Sequence, residues 1–208
     1  MKKILEVLAA LTQQIAKLDA DNQAVISALL SQLMEVTEYL HAVAETTETR
    51  LQEVLQKLVD EFFIDVHLSL IMVTGGQPKA ACVLLRTALE ISVLTLFFRD
   101  HPVEAFMWSE NDSLENREDD QSVGEILTLL SRPNYFEKAT GREIDKTRVV
   151  TELGNLREVY RALSVRVHGR YAYLTASQSS GAVNEVAALG TKMLLALSIV
   201  AGARASSS

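Results

Sequence analysis

The stretch KAACVLLRTALEISVLTLFFRD, residues 79–100, is the most apolar part of this 208-residue chain and decides its fold class. Apolar side chains occupy nearly every side of a helix of this length, and only Arg86 and Glu90 interrupt them near the centre. A helix that is apolar all round lies in the centre of a bundle, where its neighbours cover every face. The stretch is also long enough to span a membrane, but two charged residues near the middle of a bilayer are costly. We therefore predict the central helix of a helical bundle that has no membrane partner.

The composition of the whole chain also predicts an all-α protein. Apolar residues make up 48% of the chain but aromatic residues only 6%, and 3 prolines and 9 glycines leave few positions for the turns of many short strands. The net charge of −7 argues against a broad basic surface for sequence-independent binding of nucleic acid, although it does not exclude a small basic site. Cys82 is the only cysteine, which excludes an intrachain disulfide and favours a reducing, cytoplasmic location.

The first 48 residues predict two amphipathic helices, separated at DADN, residues 19–22. Their apolar residues recur at alternating steps of three and four, as in a heptad pattern: Ile4, Leu8, Leu11, Ile15 and Leu18, then Ile26, Leu29, Leu33, Val36 and Leu40. Two interpretations stay open for residues 1–48. The helices pack on the common core, or they form an arm or hairpin for self-association beside a bundle of residues 49–204 and a disordered tail, 205–208.

Capping residues and helix-breaking residues in the sequence predict further helices. We predict a third helix with Thr49 as its N-cap and Gln52 in the capping-box position, ending at TGGQPKA, residues 74–80. The acidic segment SENDSLENREDDQS, residues 109–122, reads as a solvated loop or a short exposed helix. A short helix around VGEILTLL, a long helix from near Asp145 past Tyr160, and a last helix AVNEVAALGTKMLLALSIVAGA complete the prediction.

A polar stripe marks the segment YRALSVRVHGRY, residues 160–171, and the helix before it. Seven residues return an α-helix to almost the same direction, so Arg161 and His168 share a face, about 10 Å apart along the axis. Ser164 lies between them, and the stripe extends backwards through Arg157 and Gly154. Because this stripe runs beside the apolar stripe of the same helix, we expect it at the rim of a packed surface.

The residue types of this stripe suit phosphoryl chemistry. The arginine guanidinium is a permanently charged fork that holds phosphate oxygens, and histidine moves a proton near neutral pH. Arg161 and His168 could therefore cleave RNA with neither a metal ion nor a cofactor. The other interpretation is that His168 lies at a helix end, where it bonds free carbonyl groups and interacts favourably with the helix dipole.

Arg86 and Glu90 are four residues apart, so they face the same side of the apolar helix. Burying either one without a partner would be costly. One interpretation is an ion pair that sets the register of the bundle. The other is an active site, in which Glu90 orients Arg161 or His168 and Arg86 adds a second phosphate contact. The active-site interpretation predicts that these four side chains converge.

Two blocks of the sequence resemble the HEPN superfamily. An Arg and a His separated by four to six residues, late in a helical bundle, are typical of that superfamily, and Arg161 and His168 fit with six. VLLRTALEISVLTLFF and YRALSVRVHG, in this order, are similar to two blocks of bacterial HEPN-like proteins, in which an Arg-Glu helix precedes a Tyr-Leu-Ser-His segment. The resemblance covers roughly residues 55 to 175.

The resemblance implies a helical bundle that dimerises through its motif helices. It implies a metal-independent ribonuclease of a toxin–antitoxin or anti-phage system, with Arg161 and His168 as catalytic residues and Arg86, Glu90 and Ser164 in support. Expected partners are RNA, a second copy of the chain or a larger homo-oligomer, and a protein of the same defence system. The chain departs from the pattern at Ala162, where active members usually have a polar residue. The alternative is a non-catalytic assembly or sensor subunit that acts through oligomerisation.

Overall fold

The computed structural model of the chain describes residues 2–16, 18–110, 122–132, 134–141, 144–168 and 182–205. Of these residues 88% are helical, and no strand occurs among them, which confirms the all-α class and the helical bundle. The helices are α1 (Lys2–Ile15), α2 (Ala20–Ala44), α3 (Thr49–Thr74), α4 (Pro78–Phe98), α5 (Pro102–Glu110), α6 (Val123–Leu130), α7 (Tyr135–Thr140), α8 (Lys146–Val167) and α9 (Ala182–Ala205).

Helices α3 and α4 form an antiparallel hairpin whose turn follows from its sequence. Gly75 ends α3, and Gly76 has a φ of 76°, which glycine adopts at no steric cost. Pro78 is the first residue of α4, where the missing N–H breaks no helical hydrogen bond. Most apolar residues of α4 lie in or against the core of the described chain, and those buried are Ala81, Cys82, Leu85, Ala88, Leu89, Val93, Leu96, Phe97 and Phe98. Val83 is 41% exposed, so the prediction that neighbouring helices cover every face of α4 is wrong at this position.

Helix α9 lies along α2 in a parallel direction. Contacts advance together along both helices, from Gly190 beside Leu29 to the hydrogen bond between Ser198 and Glu35. A Cβ atom at Gly190 would stand 3.2 Å from a methyl group of Leu29, so glycine permits this close approach. The buried residues of α2 belong to the same core as those of α3, α4, α8 and α9.

Three local predictions need correction or completion. Thr49 is the first residue of α3 and not its N-cap; Glu48 occupies that position and makes no capping bond through its side chain. The sequence does not predict helices α5 and α7, because each has fewer than ten residues and too little apolar periodicity to indicate a helix. Most of the acidic segment, residues 111–121, lies outside the described residues, as do residues 176–181 and 206–208.

Two helices are long and apolar enough to cross a membrane by length and composition alone. They are α4 and residues 183–205 of α9. In their most apolar windows, 61% and 50% of the residues are buried against other helices. The interior of the bundle therefore accounts for much of this apolar content.

Candidate active site between α4 and α8

Arg86 is the centre of a cluster that joins α4 to the end of α8. Its Nε donates to Glu90 Oε1 at 3.0 Å, and its Nη2 donates to the hydroxyl of Tyr160 at 3.0 Å. Its Nη1 lies 3.4 Å from Nε2 of His168. We call Arg86, Glu90, Tyr160 and His168 the Arg86 cluster. Three of the four residues that the active-site interpretation brings together, Arg86, Glu90 and His168, meet here.

The local sequence explains how this cluster forms. Arg86 and Glu90 are one helical turn apart on α4, so Glu90 holds the guanidinium in a fixed direction. Helix α8 begins at its N-cap Asp145, whose side chain accepts from the N–H of Arg148, and it continues unbroken to Val167. His168 is the C-cap of α8, and its backbone N–H bonds to Ser164 O at 3.1 Å.

The cluster is partly open to solvent. The side chains of Arg86 and Glu90 are 25% and 29% exposed, Tyr160 is half-buried, and His168 is exposed. Burial by itself would lower the pKa of Arg86, but the hydrogen bond to Tyr160 and the negative charge of Glu90 outweigh it and raise that pKa. The guanidinium also lies over the Tyr160 ring, 5.1 Å from the ring centre, as in a cation–π pair. Arg86 is thus a fixed cation that solvent can reach.

Arg161 is the predicted site residue that makes no bond to this cluster in the described part of the chain. It is exposed on α8, and among the described residues it makes no hydrogen bond or ion pair with Arg86, Glu90 or His168. A hydrogen bond from Lys192 is the main cause of a lowered pKa at Glu158, and the charge of Arg161 contributes to the same shift. This interaction places Arg161 near Glu158, on the outer side of α8. Full convergence of the four predicted residues is therefore not observed.

Ser164 and Arg157 lie on the predicted polar stripe but are already engaged. The hydroxyl of Ser164 donates to the carbonyl of Tyr160 at 2.8 Å, one turn earlier in the same helix. Arg157 donates to Thr128 of α6 at 2.9 Å. The stripe lies where the sequence predicts, beside the core residues Leu156 and Leu163, with its members half-buried or exposed.

Tyr160 is the member of the cluster that sequence reasoning missed. Its ring packs against the core, so its position on α8 is typical of an apolar residue of that helix. Its spacing of eight residues from His168 leaves both side chains within about 80° of each other around the helix. That spacing, together with a hydroxyl group in an otherwise aliphatic stripe, could have indicated the position.

A cleft lies at a different part of the surface from the Arg86 cluster. It has a volume of about 420 Å³ and opens between α2, the start of α8 and α9, and none of the predicted site residues lines it. Within the described ranges, no group of three or more His, Cys, Asp or Glu side chains could hold a metal ion. We place the candidate site at the Arg86 cluster because charge, a titratable ring and solvent access coincide there.

No protein-family model, curated protein or solved structure matches the chain. Membership of the HEPN superfamily therefore stays a prediction from the two sequence blocks.

Proposed function

We propose that this protein is a metal-independent endoribonuclease, or a subunit derived from one, in a bacterial defence or toxin–antitoxin system. The observation that carries the proposal is the contact between Arg86 and His168, which joins two helices at a solvent-accessible surface. The role in defence and the second copy of the chain as a partner are proposed from the HEPN resemblance. The cytoplasmic location is proposed from the single cysteine.

The contact between Arg86 and His168 defines a starting state for catalysis. Arginine can only donate, so a hydrogen bond in this contact requires Nε2 of His168 to accept, and we propose that the reactive tautomer has its proton on Nδ1. At 3.4 Å the contact is longer than an ordinary hydrogen bond of about 3 Å, so a phosphate oxygen can replace it as the partner of Arg86. That exchange frees the Nε2 lone pair to act as a base.

The reaction that fits these groups is transesterification of RNA. Nε2 of His168 takes the proton of a 2′-hydroxyl, and the 2′-oxygen attacks the adjacent phosphorus. The bond from phosphorus to the 5′-oxygen breaks, and this oxygen takes a proton from a water molecule, whose hydroxide then takes the proton from His168. The products are a 2′,3′-cyclic phosphate and a 5′-hydroxyl. Arg86 stabilises the added negative charge on the phosphate, and Glu90 and Tyr160 hold its guanidinium in place.

The charge of α8 supports an RNA substrate despite the acidic net charge of the chain. The half of this helix that carries the cluster has three basic residues and one acidic residue: Arg157, Arg161 and Arg166 against Glu158. Arg161 is exposed and directly follows Tyr160 on α8, where it can hold a phosphate next to the one that Arg86 binds. We therefore assign Arg86 to the reacting phosphate and Arg161 to RNA binding.

A second candidate function is a non-catalytic assembly or sensor subunit. The separation of Arg161 from His168 favours it, and so does Ala162 in the position where active HEPN members usually have a polar residue. In that case the Arg86 cluster would join α4 to α8 and take no part in chemistry.

The test is cleavage of a labelled RNA by the purified protein in the presence of EDTA. We expect His168→Ala to lower the rate by about 100-fold or more, because it removes the base. We expect Arg86→Ala to lower it by a similar factor through loss of charge stabilisation, and Arg161→Ala to weaken RNA binding with a smaller effect on the maximal rate.

Arg148→Ala is the matched control, because Arg148 is also exposed on α8 but lies near its first turn. It should cleave at the rate of the unchanged protein. If the unchanged protein cleaves no RNA, or if the three variants cleave as fast as Arg148→Ala, the ribonuclease proposal is wrong.

A further inference from the structure

The hydroxyl of Tyr160 accepts a hydrogen bond in the Arg86 cluster and keeps its own proton available. Nη2 of Arg86 donates to this hydroxyl at 3.0 Å, so the tyrosine oxygen is the acceptor. A tyrosine hydroxyl can also donate one hydrogen bond. Within the part of the chain that the structure describes, no acceptor takes this proton. A ligand at the cluster therefore meets a donor that the protein itself does not use.

Arg86 has spare donors beside this hydroxyl. A guanidinium has five N–H groups, and three of them face Glu90, Tyr160 and His168, so two of the five remain without a partner among the described residues. The side chain of Arg86 is 25% exposed, so an anion can approach from solvent. Because the hydroxyl lies 3.0 Å from Nη2, a single phosphate group can bond to both side chains.

The Tyr160 hydroxyl is held in place before any ligand binds. The ring of Tyr160 is half-buried against the core, and the guanidinium of Arg86 lies 5.1 Å from its centre. Accepting a hydrogen bond from a cation also polarises the hydroxyl and makes it a stronger donor. A donor that is fixed in advance stabilises developing charge without having to reorient during the reaction.

We propose that Tyr160 is a catalytic residue whose hydroxyl donates to a non-bridging oxygen of the reacting phosphate, beside Arg86. Negative charge on these oxygens increases when the 2′-oxygen adds to phosphorus, so this bond is stronger in the transition state than in the bound substrate. The inference rests on the proposed ribonuclease function and gives the reacting phosphate a second donor.

Tyr160→Phe tests the contact in single-turnover cleavage of labelled RNA in EDTA. The substitution removes the hydroxyl and keeps the ring in the core, so we expect the variant to fold, and circular dichroism checks this. Loss of a fixed donor to the phosphate should slow cleavage about 100-fold. Tyr39→Phe is the matched control, because Tyr39 is also half-buried but lies on α2. It should cleave like the unchanged protein.

Substrates with sulfur at one non-bridging oxygen of a single cleavable linkage distinguish a direct contact from support of Arg86. Sulfur accepts hydrogen bonds more weakly than oxygen, so the unchanged protein should cleave one of the two phosphorothioate diastereomers about tenfold more slowly than the oxygen substrate. Tyr160→Phe lacks the contact and should show almost no such difference. Glu90→Gln loosens Arg86 but touches no substrate, so it should slow all three substrates and keep the difference.

Two results would overturn the inference while the ribonuclease proposal stands. One is cleavage by Tyr160→Phe at the rate of Tyr39→Phe. The other is a sulfur effect of the same size in Tyr160→Phe, Glu90→Gln and the unchanged protein, which would make Tyr160 a positioning residue for Arg86. Absence of cleavage by the unchanged protein would reject the ribonuclease function itself, and this inference with it.

Discussion

Two clusters of an arginine, a carboxylate and a tyrosine lie along α4, and they differ most in burial. In the Arg86 cluster, the side chains of Arg86 and Glu90 are 25% and 29% exposed. In the second cluster, Arg204 pairs with Asp100 just after α4, and these side chains are only 8% and 18% exposed. Tyr135 of α7 donates to the same aspartate at 3.3 Å. We call Asp100, Tyr135 and Arg204 the Asp100 cluster.

A histidine lies near each cluster, but the two histidines differ in their contacts and in their exposure to solvent. His101 donates through Nδ1 to the backbone oxygen of Phe97 at 2.8 Å, and its ring stacks on Phe97 with centres 4.0 Å apart. His168 instead ends α8 in solvent with Nε2 toward Arg86. In the Asp100 cluster these side-chain types therefore stabilise the packing of α4, α7 and α9. In the Arg86 cluster the same types are open to solvent, so a ligand can replace their contacts.

The largest effect on stability is expected at the Asp100 cluster. Arg204→Gln removes the cation that is paired with the mostly buried Asp100, and we expect it to lower the free energy of unfolding by about 3–5 kcal/mol. Urea unfolding followed by circular dichroism measures this value. Adding Asp100→Asn should restore part of the loss, and a loss below about 1 kcal/mol for the single variant would show that the pair is not structurally important.

Alkaline pH should weaken the Asp100 cluster through Tyr135. Burial, followed by the charge and hydrogen bond of Asp100, raises the pKa of the Tyr135 hydroxyl above its usual value near 10. The folded state therefore keeps a proton that the unfolded state loses, so this stabilising contribution is complete below pH 10 and declines as the pH rises further. The decline is at most about 1.4 kcal/mol per pH unit.

Tyr135→Phe separates this effect from other alkaline titrations. The variant lacks the ionisable hydroxyl, so its free energy of unfolding should fall less steeply above pH 10 than that of the unchanged protein. Parallel pH curves for the two proteins would contradict the assignment to Tyr135.

A smaller effect on stability is expected at the open cluster. Arg86→Gln removes a partly solvated ion pair and a hydrogen bond to Tyr160, which costs about 1 kcal/mol. The same urea experiment compares it with Arg204→Gln. If Arg86→Gln destabilises the fold as much as Arg204→Gln does, the Arg86 cluster is a structural clamp of the same kind.

The smallest effect is expected at Ser164. Its hydroxyl donates to the carbonyl of Tyr160, which already accepts a backbone hydrogen bond within α8. Ser164→Ala should therefore change the free energy of unfolding by less than about 0.5 kcal/mol. RNA cleavage should also stay within a few-fold of the unchanged protein. A larger loss of cleavage would instead assign Ser164 a direct contact with the substrate.

Much of the fold is predictable because its signals are local. Gly75, Gly76 and Pro78 mark the turn between α3 and α4, and the side chain of Asp145 caps α8. Helices α5 and α7 are less predictable, because tertiary contacts stabilise them, such as those of Phe106 with Arg50 and of Tyr135 with Asp100.

The candidate site is only partly predictable for a geometric reason. Helical spacing places Arg86 beside Glu90, and it places Arg161 and His168 on one side of α8. Spacing does not determine which arginine faces the histidine, because this depends on how α8 is rotated against α4. The structure brings Arg86 to both His168 and Tyr160, whereas Arg161 makes no hydrogen bond to the cluster among the described residues.

The central claim is that Arg86 and His168 act as one unit, and a double-mutant cycle on single-turnover RNA cleavage in EDTA tests it most directly. Because residues that act together are not additive, the variant with both Arg86→Ala and His168→Ala should cleave about as slowly as His168→Ala alone. The control pair of Arg148→Ala and His168→Ala should show independent effects. If the losses from Arg86→Ala and His168→Ala multiply instead, the two residues act separately and the account of a shared site is contradicted.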